Sequence, residues 1–199
     1  MKIEVYEFNG INEEDCRVKC LDSLDVYNNE IITKEISNEN EYILEVIKKD
    51  DVKQYISEFL NELGNKMNIK LNFNIYEEEN VFFVRISSNN NPILIGKEGR
   101  TLNSIQYLLR KSISNAIGFN ININMDVSNY KKKIEKRFEE EIKKIINEVM
   151  KTRIETKLDP MNSYRRRIVH SIASNYYNIE THSVGEEPNR YTVIKYVEK

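Results

Sequence analysis

The stretch Gly96-Lys97-Glu98-Gly99 places two glycines three positions apart, between an apolar segment and a predicted amphipathic helix. Glycine adopts positive φ readily and allows another chain to approach the backbone closely. The first amide groups of the following helix lack intrahelical acceptors and lie at the positive end of the helix dipole, so they favour a phosphate. The pattern therefore predicts a phosphate-binding turn, to which Lys97 and Arg100 add positive charge, whereas Glu98 repels phosphate. A P-loop is excluded, because its Gly-Lys pair is followed by Ser or Thr.

Arg166 and His170 form a second candidate site, because a spacing of four residues puts them on one face of a helix. Arginine offers a planar fork of donors to phosphate, and histidine can stack on a base or donate to a phosphate oxygen. The same pair could serve an enzyme, with His170 as a general base and Arg166 as an anion clamp. Acid-base catalysis usually needs a second titratable group or a metal nearby, for which Glu186 and Glu187 are the candidates. We predict that the chain is not an enzyme.

Charge is distributed unevenly along the 199 residues. Residues 1–80 hold 9 Lys and Arg against 19 Asp and Glu, whereas residues 131–170 hold 13 against 7. Clustered cations raise the local concentration of anions, so the basic part predicts a polyanionic partner, the alternative being a solvated helix surface. No apolar run approaches the roughly 20 residues of a membrane-spanning helix, and the first residues do not resemble a signal peptide. We therefore expect a cytoplasmic protein without membrane insertion.

Cys16 and Cys20 lie one helical turn apart, and both histidines are far away in the sequence. A metal site would need more ligands than these two thiols. We predict two reduced thiols, with no metal and no other cofactor.

Hydrophobic periodicity predicts an α+β fold of three small domains, at residues 1–49, 50–128 and 129–199. The first domain is predicted as β-α-β-β, with a strand at 3–8, a helix that Asn12 caps, and strands at 30–37 and 42–48 around a turn at 38–40. The second is predicted to begin with a helix that Asp50 or Asp51 caps and Gly64 ends, followed by a hairpin of strands at 69–76 and 81–87. A short helix at 92–95 then precedes a helix at about 100–116, which Gly118 stops, and a strand at 119–127. The helix at about 100–116 is predicted to bury Leu102, Ile105, Leu108, Leu109 and Ile113. The third is predicted to contain a long helix from 129, a short strand at 152–158, a helix at 160–175, and strands at 178–183 and 191–197.

The order of strand, short helix, Gly-Lys-Glu-Gly turn, long helix and strand over residues 81–127 resembles a KH domain. The helix and strand before it resemble the type II arrangement. In KH domains a G-x-x-G loop clamps a nucleic-acid backbone, so the resemblance implies that the backbone of residues 96–99 grips phosphates. It also implies an apolar groove for about four unpaired bases, bordered by Ile93, Ile95, Leu102 and Ile105. Two alternatives stay open: an ordinary turn between two helices, and a protein-dimerisation surface with negligible RNA affinity, which the acidic Glu98 favours.

Further residues extend the pattern of Arg166 and His170. Together with Thr181, Ser183 and the run from Gly185 to Arg190, the pair resembles the R-three-H domain, which is named after its Arg-x-x-x-His spacing. The resemblance implies nucleic-acid binding by Arg166, His170 and Arg190.

A KH domain followed directly by an R-three-H domain resembles the bacterial Jag family, whose members are also called KhpB, EloR or SpoIIIJ-associated proteins. Residues 1–49 fit the family's N-terminal domain in pattern, but its usual Lys-Lys-Gly-Phe-like segment is missing, which leaves the role of this domain open. The resemblance implies a post-transcriptional regulator that binds single-stranded RNA. It further implies a small KhpA-like KH-domain protein as a heterodimer partner and a link to the machinery of cell elongation and division.

Overall fold

The computed structural model describes residues 2–38 and 41–198, and the chain divides into two compact units, Met1–Ser128 and Asn129–Lys199. The helices and three sheets of three strands each confirm the predicted α+β class. In the described part of the chain, no helix is both long and apolar enough to cross a bilayer.

The first unit begins with a three-stranded antiparallel sheet in the order β1-β3-β2, formed by β1 (Tyr6–Gly10), β2 (Ile31–Asn38) and β3 (Glu41–Lys48). Helix α1 (Glu13–Leu24) packs on it, and the Asn12 side chain accepts a hydrogen bond from the amide of Asp15, which confirms the predicted cap. Cys16 and Cys20 are free thiols buried between this helix and the sheet. The strand predicted from residue 3 starts at Tyr6, and the predicted turn at 38–40 lies largely outside the described residues.

Helix α2 (Lys49–Met67) corrects two predicted boundaries. It begins before Asp50 and Asp51, which lie in its first turn, where their charge suits the positive end of the helix dipole without capping it. Gly64 lies inside the helix rather than at its end. A Cβ there would come within 2.9 Å of the Ile69 carbonyl oxygen, so this position requires glycine for space. The helix ends at Asn68, which adopts the left-handed conformation with φ of 54°.

The rest of the first unit is a sheet in the order β4-β5-β6 that carries the predicted turn. Strands β4 (Leu71–Glu78) and β5 (Val81–Ser88) form the predicted hairpin, and β6 (Asn122–Val127) pairs parallel to β5. Two helices connect β5 to β6: the short α3 (Asn91–Ile95) and α4 (Arg100–Ile117), which Gly118 ends at φ of 80° as predicted. The apolar face of α4 packs on β6, with Leu102, Ile105, Leu109 and Ile113 buried.

Leu108 does not join that buried face. It is 58% exposed, next to Tyr107, which is 65% exposed. Successive residues of a helix are about 100° apart, so the burial of Leu109 turns Leu108 towards solvent. The prediction that Leu108 belongs to the core was wrong.

The second unit packs two helices on an antiparallel sheet in the order β7-β9-β8. Its elements are α5 (Tyr130–Thr152), β7 (Thr156–Lys157), α6 (Ser163–Ala173), β8 (Ile179–Val184) and β9 (Tyr191–Tyr196). The strand predicted at 152–158 shrinks to β7, because α5 extends to Thr152 and Arg153 caps it in the left-handed conformation. Helix α6 is shorter than predicted and begins after Asn162, whose side chain accepts from the amide of Arg165.

Candidate nucleic-acid interface

The Gly96–Gly99 turn joins α3 to α4 by backbone conformations that favour glycine. Gly96 and Gly99 have φ of 70° and 79°, and Glu98 between them has φ of 54°. The Gly96 amide donates to the Pro92 carbonyl at 2.8 Å and closes α3, while the Gly99 amide reaches the Gly96 carbonyl at 3.4 Å. In the described chain the amides of Lys97 and Glu98 have no such internal acceptor, so they are the donors that an anion could use.

Gly96 also has no room for a side chain. A Cβ at this position would lie 2.1 Å from the Thr101 hydroxyl oxygen and 3.0 Å from the Thr101 amide nitrogen. The end of α3 therefore meets the start of α4 so closely that the turn depends on glycine for space as well as for its positive φ.

Three charged side chains surround the turn. Lys97 is exposed, and the Arg100 and Glu98 side chains are 74% and 71% exposed while forming an ion pair of 3.5 Å. An exposed pair of this kind contributes at most about 1 kcal/mol, so Arg100 can exchange Glu98 for a phosphate at little cost.

The apolar residues predicted to border a groove divide into two groups. Ile93 is 48% exposed and Ile95 is half-buried, so both reach the surface beside the turn. Leu102 and Ile105 are only 2% and 6% exposed, because they point from α4 into the core. The helical spacing predicted this burial, so Leu102 and Ile105 can support a groove only from beneath, whereas Ile93 and Ile95 are accessible.

Two polar residues that we did not single out in the sequence hold α3 and α4 in place. Asn91 accepts from the Ser88 amide at 2.8 Å and donates to the Ser128 hydroxyl at 2.9 Å, which ties α3 to the ends of β5 and β6. Gln106 accepts from the Met125 amide at 2.9 Å and ties α4 to β6. Gln106 lies at the border of the apolar face of α4. A polar residue at such a position was the sequence signal that could have predicted this contact.

Arg166 lies on the face of α6 that turns to the sheet. It is 8% exposed, and its Nη1 donates to the Met161 carbonyl at 2.7 Å and to the Glu187 carboxylate at 2.8 Å. These bonds join α6 to the segment before it and to the turn between β8 and β9. Arg166 was predicted to offer its donor fork to phosphate; its Nη1 is engaged inside the domain, and the contact with phosphate stays a prediction.

His170 lies between two hydroxyl groups of β8. Its Nδ1 is 2.7 Å from the Thr181 hydroxyl and its Nε2 is 3.0 Å from the Ser183 hydroxyl. Burial lowers the pKa of His170 below 6.5, and the nearby positive charges of Arg166 and His182 lower it further. The imidazole is therefore neutral at physiological pH, and one of its nitrogens donates while the other accepts.

Three other arginines of this unit, near Arg166 in sequence or in the predicted motif, have exposed side chains. Arg165, Arg167 and Arg190 are exposed, and the Arg165 guanidinium lies 5.1 Å from the centroid of the Phe138 ring. Arg190 was predicted as a binding residue, and its exposure keeps it accessible. Arg165 and Arg167 adjoin the Arg-x-x-x-His pair in sequence and were not singled out.

Among the described residues, no group of three or more His, Cys, Asp or Glu side chains is arranged to hold a metal ion.

Comparison with known proteins identifies the two domains. Residues 53–125 match the model of the KhpA/KhpB KH domain, and residues 132–196 match that of the R-three-H domain. The chain is 32% identical over 154 residues to RNA-binding protein KhpB of Clostridium symbiosum, covering 76% of this chain and 69% of that protein. It is 30% identical over 156 residues to RNA-binding protein KhpB of Bacillus subtilis (strain 168), covering 77% of this chain and 75% of that protein. These matches confirm the resemblance seen in the sequence, and the chain belongs to the KhpB family, in which a KH domain is followed by an R-three-H domain.

Proposed function

We propose that this chain is an RNA-binding protein that holds single-stranded RNA through its KH domain, residues 50–128, and its R-three-H domain, residues 129–199. The observation that carries the proposal is the Gly96–Gly99 turn, whose glycines have positive φ and whose first glycine has no space for a side chain. The curated relatives at 30% and 32% identity are named RNA-binding proteins, which supports the same function here.

At the KH turn, the amides of Lys97 and Glu98 bind backbone phosphate, and the Lys97 and Arg100 side chains add charge-assisted bonds. Ile93 and Ile95 line the apolar border for the unpaired bases of about four nucleotides. Glu98 opposes the phosphate and weakens the site, so a single KH turn gives modest affinity.

In the R-three-H domain, Arg166 and His170 contribute by fixing α6 against β8 and the turn at Glu187, and Arg190 supplies an exposed positive charge. In this proposal His170 has a positioning role, in which its ring nitrogens bond the Thr181 and Ser183 hydroxyls and hold α6 on β8. The function is binding without catalysis.

Two weak sites on one chain raise each other's effective concentration, so the avidity exceeds either affinity by ~10²-fold. We expect the protein to act in the cytoplasm as a post-transcriptional regulator linked to cell elongation and division.

The test is a titration of labelled, mixed-sequence single-stranded RNA with the full chain and with Gly96→Asp. We expect this variant to bind about tenfold more weakly or worse, equivalent to at least about 1.4 kcal/mol. Gly118→Asp is the matched control, because Gly118 also has positive φ but has nothing within 4 Å of an added Cβ. Lys97→Ala with Arg100→Ala probes the same turn without backbone strain.

Arg166→Ala with His170→Ala is the corresponding variant of the R-three-H domain. We expect it to weaken binding through the loss of order in α6. If the wild type, the Gly96 variant and this double variant all retain RNA equally, the proposal is overturned for both domains.

A second function, protein association, is favoured by the exposure of Tyr107 and Leu108 on α4. This pair lies on the helix that follows the proposed RNA-binding turn. A partner helix that also exposes apolar side chains would pack against it. We propose a small KhpA-like KH-domain protein as the partner, since one family model describes the KH domains of both KhpA and KhpB.

A further inference from the structure

In the R-three-H domain, the polar groups of Arg166 and His170 bond within the domain, to Met161, Glu187, Thr181 and Ser183. The exposed side of α6 leads instead to a cleft that α6 forms with α5. This cleft has a volume of about 280 Å³ and an apolar floor of Ile134, Phe138 and Ile168.

Tyr164 forms one wall of the cleft and is held in position. Its ring is 60% exposed, while its hydroxyl donates to the Glu135 carboxylate on α5. A tethered ring loses little side-chain freedom when a ligand stacks on it, so its exposed face is a preorganised platform.

Arg165 also lines the cleft, where it contacts Phe138. Its guanidinium carbon lies 5.1 Å from the centroid of the Phe138 ring, within the range of a cation–π contact. A guanidinium plane, like an aromatic ring, is a surface on which an unpaired base stacks. The cleft therefore combines two flat groups, the Tyr164 ring and the Arg165 guanidinium, with an apolar lining.

We propose that this α5–α6 cleft binds one unpaired nucleobase of the RNA strand, stacked on Tyr164. The inference rests on the proposed RNA-binding function and deepens it by naming a base site in the R-three-H domain. Charge favours a nucleic acid as the occupant, because residues 129–199 hold 16 Lys and Arg against 11 Asp and Glu. The base enters the cleft while Arg165 and neighbouring cations meet the phosphates on either side.

The experiment combines a protein variant with a scan of the RNA. The full chain is titrated with a set of single-stranded RNAs of one sequence, each lacking the base at one position, and the scan is repeated with Tyr164→Leu. With the wild type, we expect one position, in addition to those held by the KH turn, at which loss of the base weakens binding about fivefold or more. Tyr164→Leu should weaken binding of the intact RNA by a similar factor and should be insensitive to loss of that base.

Two further variants test whether the Tyr164 ring itself holds the base. Tyr164→Phe keeps the stacking surface without the tether, so it should retain most of the affinity. Tyr177→Leu removes another exposed tyrosine of the same unit, outside the cleft, and should leave affinity unchanged.

The outcomes distinguish this inference from the function on which it rests. If the wild type binds RNA and Tyr164→Leu gives the same affinity and the same scan, the base site is overturned while the RNA-binding function stands. If the wild type does not bind single-stranded RNA, both fail together. Equal losses in Tyr164→Leu and Tyr177→Leu would also overturn the base site.

Discussion

At the scale of single residues, His170 is a neutral imidazole that joins a helix to a strand. Its pKa is lowered mainly by burial, and the hydroxyls of Thr181 and Ser183 satisfy both ring nitrogens. Protonation would replace an acceptor nitrogen by a donor and place a positive charge near Arg166. The bonds of His170 therefore depend on its remaining neutral.

This arrangement predicts that the second unit loses stability in mild acid. The unfolded chain takes up a proton on His170 near the ordinary pKa of 6.5, whereas the folded chain does so only at lower pH. The unfolded state therefore binds more protons, and the free energy of unfolding falls as pH drops below about 6.5 until the folded pKa is passed.

Urea denaturation of the wild type and of His170→Gln between about pH 8 and pH 5 measures the effect. His170→Gln should have a smaller dependence on pH over this range. His182→Gln is the control, because the His182 side chain is exposed and should leave most of the dependence in place. Equal slopes for the wild type and His170→Gln would contradict the assignment.

A second prediction concerns Glu98, the acidic residue within the turn. Its carboxylate lies beside the proposed phosphate position and pairs with Arg100 at 3.5 Å. Glu98→Gln removes this repulsion and releases Arg100, so we expect RNA affinity to rise about two- to fivefold, as suits an exposed charge.

The affinity is measured by titration of labelled single-stranded RNA, and Glu79→Gln is the matched control. Glu79 is also an exposed glutamate with positive φ, at 51° against 54° for Glu98, but it lies in the turn between β4 and β5. An equal rise for both variants would mean that overall charge, rather than the KH turn, sets the affinity.

At the scale of elements, we propose two roles for α4 at different points along its length. Its first turn follows Gly99 at the proposed phosphate site, while Tyr107 and Leu108 lie exposed about two turns further along the helix. Leu108→Asp should therefore abolish association with the small KH-domain protein and leave RNA affinity nearly unchanged.

Co-purification and sedimentation of the pair measure this association. The free energy of unfolding should change by no more than about 0.5 kcal/mol, because Leu108 is a surface residue. Met150→Asp, at another exposed apolar residue, is the control. Retained association in Leu108→Asp would remove α4 as the partner surface.

Several elements were predictable from sequence because local chemistry defines them. The Asn12 cap, the Gly118 stop and the β4–β5 hairpin all follow from side-chain type and hydrophobic period, and the structure confirms them. The end of α2 was predicted too early, because Gly64 lies inside the helix and Asn68, with φ of 54°, takes the left-handed position at its end. The chain then turns back so that the Ile69 amide donates to the Gly64 carbonyl, and Gly64 is needed there for space rather than for a positive φ.

The candidate site, too, could be predicted from sequence only in part. Spacing predicted that Arg166 and His170 share a helix face, but it could not tell whether that face meets solvent or the sheet. The answer depends on Thr181, Ser183 and Glu187, which come from a strand and a turn later in the chain. Spacing did predict the burial of Leu102, because the apolar period of α4 indicates which of its residues face the core.

At the scale of the whole molecule, charge separates the chain into parts with different expected partners. Residues 1–80 are acidic overall, whereas residues 131–170 are basic. We expect RNA to avoid the N-terminal domain, which is then free for protein contacts, and to bind the rest with strong salt dependence. Each phosphate neutralised on a single strand contributes roughly −0.7 to the slope of log affinity against log salt.

The most direct test of the central claim is a map of the residues that contact RNA. Single-stranded RNA carrying a photoreactive uridine is crosslinked to the full chain, and the modified peptides are identified by mass spectrometry. We expect crosslinks within residues 92–101, which excess unlabelled RNA removes, and few within residues 2–38. Crosslinks confined to residues outside the KH turn, or none that competitor RNA removes, would contradict RNA binding by this turn.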